Sequence, residues 1–197
     1  MGENDALRTY RSKRDLDRSG EPSGGRRRPD RRPAFVVQKH SARSLHYDFR
    51  LEADGVLKSW SVPKGPSADP AVKRLAVPTG DHPLDYEDFE GVIPRGEYGA
   101  GAVIVWDTGT YDNRTKDPVG HAVSVAVAIE RGHVSFDLHG RKLRGGYSLT
   151  RIRSGRDPGW IQVKKADKFA EPGSDPERDE PESVKSGKDI DQVADDK

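Results

Sequence analysis

Between Ala34 and Lys165 the chain is a series of short runs in which apolar and polar residues alternate. From Leu45 to Leu51, Leu45, Tyr47, Phe49 and Leu51 take turns with His46, Asp48 and Arg50. Successive side chains of a strand point to opposite faces, so one face here is apolar and the other carries imidazole, carboxylate and guanidinium. AFVVQKH, SLHYDFRLE, VLKSWSVP, RLAVPT, GAVIVWD, GTYDN, AVSVAVAIE, HVSFDLHG, YSLTRIR and WIQVKK all read as strands. AVSVAVAIE is rich in alanine, but the alternation of Val123, Val125, Val127 and Ile129 favours strand over helix. Turns are expected at Ala53-Asp54-Gly55, Lys64-Gly65-Pro66, Asp107-Thr108-Gly109, Arg131-Gly132 and Arg144-Gly145-Gly146. Many short antiparallel strands joined by tight turns imply a single all-β domain, either a barrel or a sandwich.

Composition limits that domain to the middle of the chain. Residues 1–33 hold ten Lys/Arg against six Asp/Glu, and residues 167–197 hold five against eleven, with few large apolar residues in either. Both ends are therefore expected to be polar and flexible around a core domain at 34–167: a basic N-terminal arm at 1–33 and an acidic disordered tail at 168–197. Arg26, Arg27, Arg28, Arg31 and Arg32 cluster just ahead of the first strand, where they suit either a solvated linker or salt-dependent contact with nucleic acid. The chain has no cysteine, which excludes disulfides, thiolate metal sites and cysteine nucleophiles. It has neither an apolar run of membrane-spanning length nor a signal-peptide core, so a cytoplasmic protein without membrane contact is expected.

Candidate chemistry gathers on the polar face. His40, His46 and Asp48 form the pattern H-x5-H-x-D, two imidazoles and a carboxylate that suit Mn, Fe or Zn and leave open positions for water and substrate. Arg50, two residues farther along the same face, can hold an anion against such a metal. The outer face of an ordinary sheet would give the same spacing. Downstream, the Gly- and Pro-rich stretch 80–101 carries His82, Asp85, Tyr86 and Arg95, and Lys64 and Arg74 can join Arg50 and His82 around a phosphate. His121, His133 and His139 read as structural. Two rivals fit part of this pattern. A non-haem iron oxygenase would use His46, Asp48 and His82 and consume oxygen. A non-catalytic nucleic-acid-binding module would bind DNA in a salt-sensitive way without altering it.

FVVQKHSARSLHYDFRLEADGVLKSWSVPKGPS, LDYEDFEGVIPRGEYGAGAVIVWDTGTY, the N-terminal KRDL and EPSG, and the later GWIQVKK together closely resemble the phosphoesterase module of bacterial DNA ligase D. The resemblance spans roughly residues 9–170. It implies a compact antiparallel β-barrel that trims DNA 3′ ends before ligation in non-homologous end joining. Such modules remove a 3′-terminal ribonucleoside and then the 3′-phosphate, with a divalent ion, typically Mn2+. By motif, His40, His46 and Asp48 would bind the metal, Arg50 and His82 the scissile phosphate, and Lys64 and Arg74 would add charge. Tyr86 matches a functional tyrosine, and Arg14, Asp15 and Glu21 match arm residues that influence activity, which requires part of the arm to fold over the site. Gly80 departs from the pattern: relatives often carry there an acid linked to ribonucleoside removal. The resemblance further implies DNA 3′ ends at duplex breaks or primer-templates as substrate. Since 197 residues leave no room for ligase and polymerase domains, a free-standing, nucleoid-associated monomer is expected, acting beside a separate ATP-dependent DNA ligase and an end-binding protein.

Overall fold

A computed structural model describes residues 6–25, 32–153, 156 and 158–196. Nine strands are described: β1 (Ala34–Ser41), β2 (Leu45–Ala53), β3 (Val56–Val62), β4 (Lys73–Pro78), β5 (Gly91–Ile93), β6 (Gly101–Asn113), β7 (His133–Gly140), β8 (Arg144–Arg153) and β9 (Gly159–Lys164). All pairings are antiparallel, in the order β1-β2-β3-β4-β9-β8-β7-β6-β5. A further pairing of β1 with β6 closes eight of the strands into a barrel and leaves β5 appended to β6. Closure removes the sheet edges that an open sandwich would keep.

The alternation seen in the sequence decides which side of each strand faces inward. Phe35 and Val37 of β1, Tyr47, Phe49 and Leu51 of β2, and Trp60 and Val62 of β3 join Trp106, Phe136, Tyr147, Leu149 and Trp160 in the barrel core. Phe136 stacks between Phe49 and Tyr147, with ring centroids 5.6 and 6.4 Å away. The opposite faces of β1, β2 and β3 therefore look outward together. Register aligns them: His40 is opposite His46, Gln38 opposite Asp48, Asp48 opposite Ser61 and Arg50 opposite Ser59.

The N-terminal arm covers part of that outer face. Two short helices, α1 (Arg8–Ser12) and α2 (Leu16–Ser19), bring Leu7 and Tyr10 onto Val36, Val56, Leu57, Leu84 and Tyr86 in a second apolar cluster. Arg26, Arg27, Arg28 and Arg31, of the basic cluster read as either a solvated linker or a nucleic-acid contact, lie outside the described residues.

Four expectations are corrected. AVSVAVAIE forms a helix, α3 (Val125–Arg131), not a strand. Ser124 Oγ accepts from Val127 N at its start, and Gly132, at φ 85°, ends it in a left-handed conformation that glycine adopts without strain. Its buried positions, Val125 and Ala128 with Ile129 partly buried, follow helical spacing, whereas Val127 is exposed. Asp107-Thr108-Gly109 is not a turn but the middle of β6. Gly109 is required there by close strand approach, since a Cβ would overlap the His139 carbonyl. Arg144-Gly145-Gly146 opens β8, and the reversal falls at Arg141 and Lys142, whose amides, with that of Leu143, are accepted by the Asp107 carboxylate.

The tail is the fourth. Residues 168–196 pack along the barrel instead of extending into solvent. Trp106 Nε1 donates to Glu180 O at 2.6 Å, and Val184 N to Val105 O at 2.9 Å. After the short helix α4 (Pro176–Asp179), α5 (Ile190–Asp195) buries Ile190 and Val193 on Ala102 and Ile104. The acidic composition hides this because two apolar residues at i and i+3, behind an Asp189–Gln192 capping box, suffice to dock one helical turn. Among the described residues, no helix is long and apolar enough to cross a membrane.

Candidate metal and phosphate site

A cavity of about 220 Å³ opens on the outward face of β1–β3, beneath the N-terminal arm and the loop between β5 and β6. His40, His46 and Asp48 lie at one side, each offering a ligand atom within 4.8 Å of the others. His40 Nδ1 is 3.6 Å from Asp48 Oδ2, and His46 Nε2 is 3.7 Å from Asp48 Oδ1. Each imidazole turns its other nitrogen to a backbone carbonyl: His40 Nε2 donates to Gly99 O at 2.7 Å, and His46 Nδ1 to Ser44 O at 3.0 Å. These bonds fix both tautomers so that an unprotonated nitrogen faces Asp48, the arrangement in which a histidine binds a metal. The donor set thus fits a divalent transition metal, and the pleat explains how. Cross-strand pairing places His40 directly against His46, with ring centroids 4.9 Å apart, while Asp48 shares their face.

Arg50 is the hub behind this set. Only 2% exposed, its guanidinium donates from Nε to Gln38 Oε1 at 2.9 Å, from Nη1 to Ser59 Oγ at 2.8 Å, and from Nη2 to Asp48 Oδ2 at 3.2 Å. Nη1 also lies 3.0 Å from His82 Nδ1. Burial alone would raise the Asp48 pKa. The Arg50 guanidinium leads the interactions that oppose it, and the carboxyl is held well below its usual range.

His82 sits across the cavity from the metal ligands. Its backbone pairs with Leu57, and its ring is packed by Tyr10 and Tyr86 at 5.2 and 4.9 Å between centroids. Burial, then Arg50 and Arg14, push its pKa well below the ordinary value, so the ring is neutral at neutral pH. Two neutral tautomers fit: with hydrogen on Nδ1 it donates to Gly80 O at 2.8 Å and Nε2 accepts from Arg14 Nη2 at 3.4 Å; with hydrogen on Nε2, Nδ1 accepts from Arg50.

The arm completes the wall. Arg14 Nε donates to Glu21 Oε1 at 2.9 Å, and the Tyr86 hydroxyl donates to the same oxygen at 2.9 Å. Arg14, Glu21, Arg50, His82 and Tyr86 all line the cavity with the three metal-ligand candidates. Three residues that the resemblance assigned to the site do not. Lys64 is exposed in the turn after β3, Arg74 stands on β4 opposite Gln162 of β9, and Asp15 caps α2 through Arg18 N. His121, His133 and His139 pair with Asp117, Thr150 and Asp112 outside the cavity.

Gln38 was missed. It is fully buried, holds the loop through Tyr86 O and Phe89 O, and positions Arg50. Its signal was present: a polar residue within the apolar run AFVVQKH, two places before His40 and hence on its face.

The chain belongs to the DNA Ligase D 3′-phosphoesterase domain family, whose model matches residues 38–151. It is 52% identical over 164 residues, or 82% of its length, to the "Multifunctional non-homologous end joining protein LigD" of Pseudomonas aeruginosa. It is 45% identical over 158 residues, 77% of its length, to the "Multifunctional non-homologous end joining DNA repair protein LigD" of Mycobacterium tuberculosis. The Mycolicibacterium smegmatis LigD matches at 42% over 153 residues. In each case the match covers 19% of the relative's length.

Proposed function

We propose that this chain is a metal-dependent phosphoesterase that trims DNA 3′ ends, removing a 3′-phosphate and a 3′-terminal ribonucleoside before ligation in non-homologous end joining. The observation that carries the reading is the convergence of His40, His46 and Asp48 in the same cavity as Arg50 and His82. A bound divalent cation, Mn2+ in this reading, would supply Lewis-acid polarisation of a phosphate oxygen.

The residues divide the remaining work. Arg50 has five N–H groups, and its protein partners leave one Nη2 hydrogen for a phosphate oxygen. Held by Gln38 and Ser59, that donor needs no reorganisation as charge builds on the phosphate. Water adds to phosphorus while the bond to the 3′ oxygen breaks, and the proton lost by that water balances the one the 3′ oxygen gains. His82, protonated on Nε2, can donate to a phosphate oxygen while Nδ1 is anchored by Arg50. Arg14 Nη2, 3.4 Å from the same nitrogen, makes no hydrogen bond to it in this tautomer and contributes positive charge from the arm. The single hydroxyl hydrogen of Tyr86 is engaged by Glu21, so Tyr86 acts by positioning, with its ring 5.0 Å from the Arg50 guanidinium. The product, a 3′-hydroxyl end, is what a DNA ligase requires.

The test is a duplex primer ending in a 3′-phosphate, incubated with the native chain and with His46→Ala, with and without Mn2+. Release of phosphate by the native chain only, and only with metal, is the expected result. Absence of release from this end and from a 3′-ribonucleotide end would overturn the reading in favour of a binding module.

A further inference from the structure

Tyr98 stands apart from the other aromatic residue of the cavity wall. Tyr86 is 3% exposed and hydrogen-bonded, whereas Tyr98 is 54% exposed although it lines the same cavity. It projects from the turn between β5 and β6, one residue before Gly99, whose carbonyl orients the metal-ligand candidate His40. An exposed phenol ring at a cavity mouth contributes less apolar burial to the fold than a core aromatic does.

Its neighbours show what the ring is placed for. The Arg14 guanidinium carbon lies 4.9 Å from the Tyr98 centroid, and the Lys13 ammonium lies 5.3 Å from it. The same Arg14 guanidinium reaches His82 Nε2 at 3.4 Å. One guanidinium thus spans the gap between the phosphate-facing imidazole and the exposed ring. A nucleotide offers the matching pair of groups, a phosphate joined through its sugar to a flat base.

We propose that Tyr98 is a stacking platform for the nucleoside next to the scissile phosphate, and that Lys13 and Arg14 flank it as backbone contacts. This rests on the end-trimming reading above and names the part of the substrate that the chain would hold besides the phosphate. Stacking accepts any base, so the ring would place the terminal nucleoside without selecting its sequence.

The probe is a duplex carrying 5-iodouracil at its 3′-terminal nucleotide, bound to the full chain with chelator present and irradiated at long wavelength. The expected result is an adduct mapped to Tyr98 by peptide mass. Tyr98→Ala should weaken equilibrium binding of the same duplex by roughly five- to a hundredfold, and Tyr98→Trp should restore it. An adduct mapped elsewhere, or equal binding by native chain and Tyr98→Ala, overturns the assignment. If the native chain still releases phosphate with Mn2+, that result leaves the enzyme reading standing. Absence of both binding and phosphate release overturns the enzyme reading and the Tyr98 assignment with it.

Discussion

Tyr86 donates its hydroxyl hydrogen to Glu21 Oε1 at 2.9 Å, a bond that ties the N-terminal arm to the site loop across 65 residues of chain. Burial, opposed by Arg50 and reinforced by the Glu21 charge, holds the Tyr86 pKa well above its ordinary value, so the donor persists at any working pH. Tyr86→Phe removes that hydrogen and leaves a buried carboxylate with one partner fewer, a loss of about 1.5–3 kcal/mol. The arm should then be clipped faster in limited proteolysis, and end trimming should fall about tenfold or more. Unchanged clipping would mean that Leu7 and Tyr10 hold the arm without the hydrogen bond.

Metal should act on stability as well as on activity. The three ligand atoms come from two paired strands of the folded barrel, so an ion that binds them binds the native state only. At a hundredfold excess over its dissociation constant, such an ion adds about 2.7 kcal/mol. A thermal melt should therefore move up with Mn2+ for the native chain and stay put for His46→Ala. His46 is the ligand candidate with the most exposed side chain, so its removal leaves the core intact. A shift of equal size in both proteins would place the ion elsewhere.

Arg50→Lys separates charge from shape. Lysine keeps a positive group near Asp48 but cannot reach Gln38, Ser59 and the cavity at once as the planar fork does. Buried partners left unpaired cost about 1–3 kcal/mol each. A clear loss of thermal stability is expected, together with at least a hundredfold loss of phosphate release, comparable to removing one preorganised donor. Near-native turnover by the lysine variant would reduce Arg50 to a simple counter-charge for Asp48.

The polar face was legible because a strand writes its two sides into alternate residues. His46, Asp48 and Arg50 could be assigned to one face from the sequence, and Tyr47, Phe49 and Leu51 to the core. What pairs with that face was not legible, because register is set by neighbouring strands and by closure of the barrel. The opposition of His40 to His46, and of Ser59 to Arg50, emerges only from the pairing. Local spacing also misled where helix-terminus signals or strand register decided the outcome. Val123, Val125, Val127 and Ile129 alternate as a strand does, yet the Ser124 cap and the Gly132 terminus select a helix. Lys64 and Arg74 had the right charge for a phosphate, but charge without register gives no direction, and neither lines the cavity.

Burial of phenols makes a distinct statement about alkaline stability. Tyr10, Tyr111 and Tyr147 all have their pKa raised, in each case first by burial, and then by nearby carboxylates. A phenol of unfolded chain ionises near pH ~10. With the folded value higher, each contributes stability that is fully present below pH ~10 and is lost as pH rises above it. Tyrosinate absorbance from these residues should therefore appear together with loss of the β-sheet circular dichroism signal. Their ionisation well before unfolding would show that water reaches the barrel core, for Tyr111 and Tyr147, or the cluster beneath the arm, for Tyr10.

Gly80 offers a gain-of-function test. Its carbonyl lies 2.8 Å from His82 Nδ1, so the residue sits at the edge of the site, yet it is exposed and a Cβ there would meet nothing within 4 Å. The resemblance to the ligase D module implies an acid at that position linked to ribonucleoside removal, and among the described residues lining the cavity the carboxylates are Glu21 and Asp48. Glu21 is held through Oε1 by Arg14 and Tyr86, with Oε2 buried, and Asp48 is flanked by Arg50 and the two histidines. The native chain is therefore expected to release a 3′-phosphate faster than it removes a 3′-ribonucleoside. Gly80→Glu should speed the second reaction while leaving the fold untouched, because the added side chain enters open space. Parallel time courses on the two ends, for both proteins, decide it. Comparable native rates on the two ends would show that the chain performs the diester step without an acid at this position, and would remove the argument for Gly80 altogether.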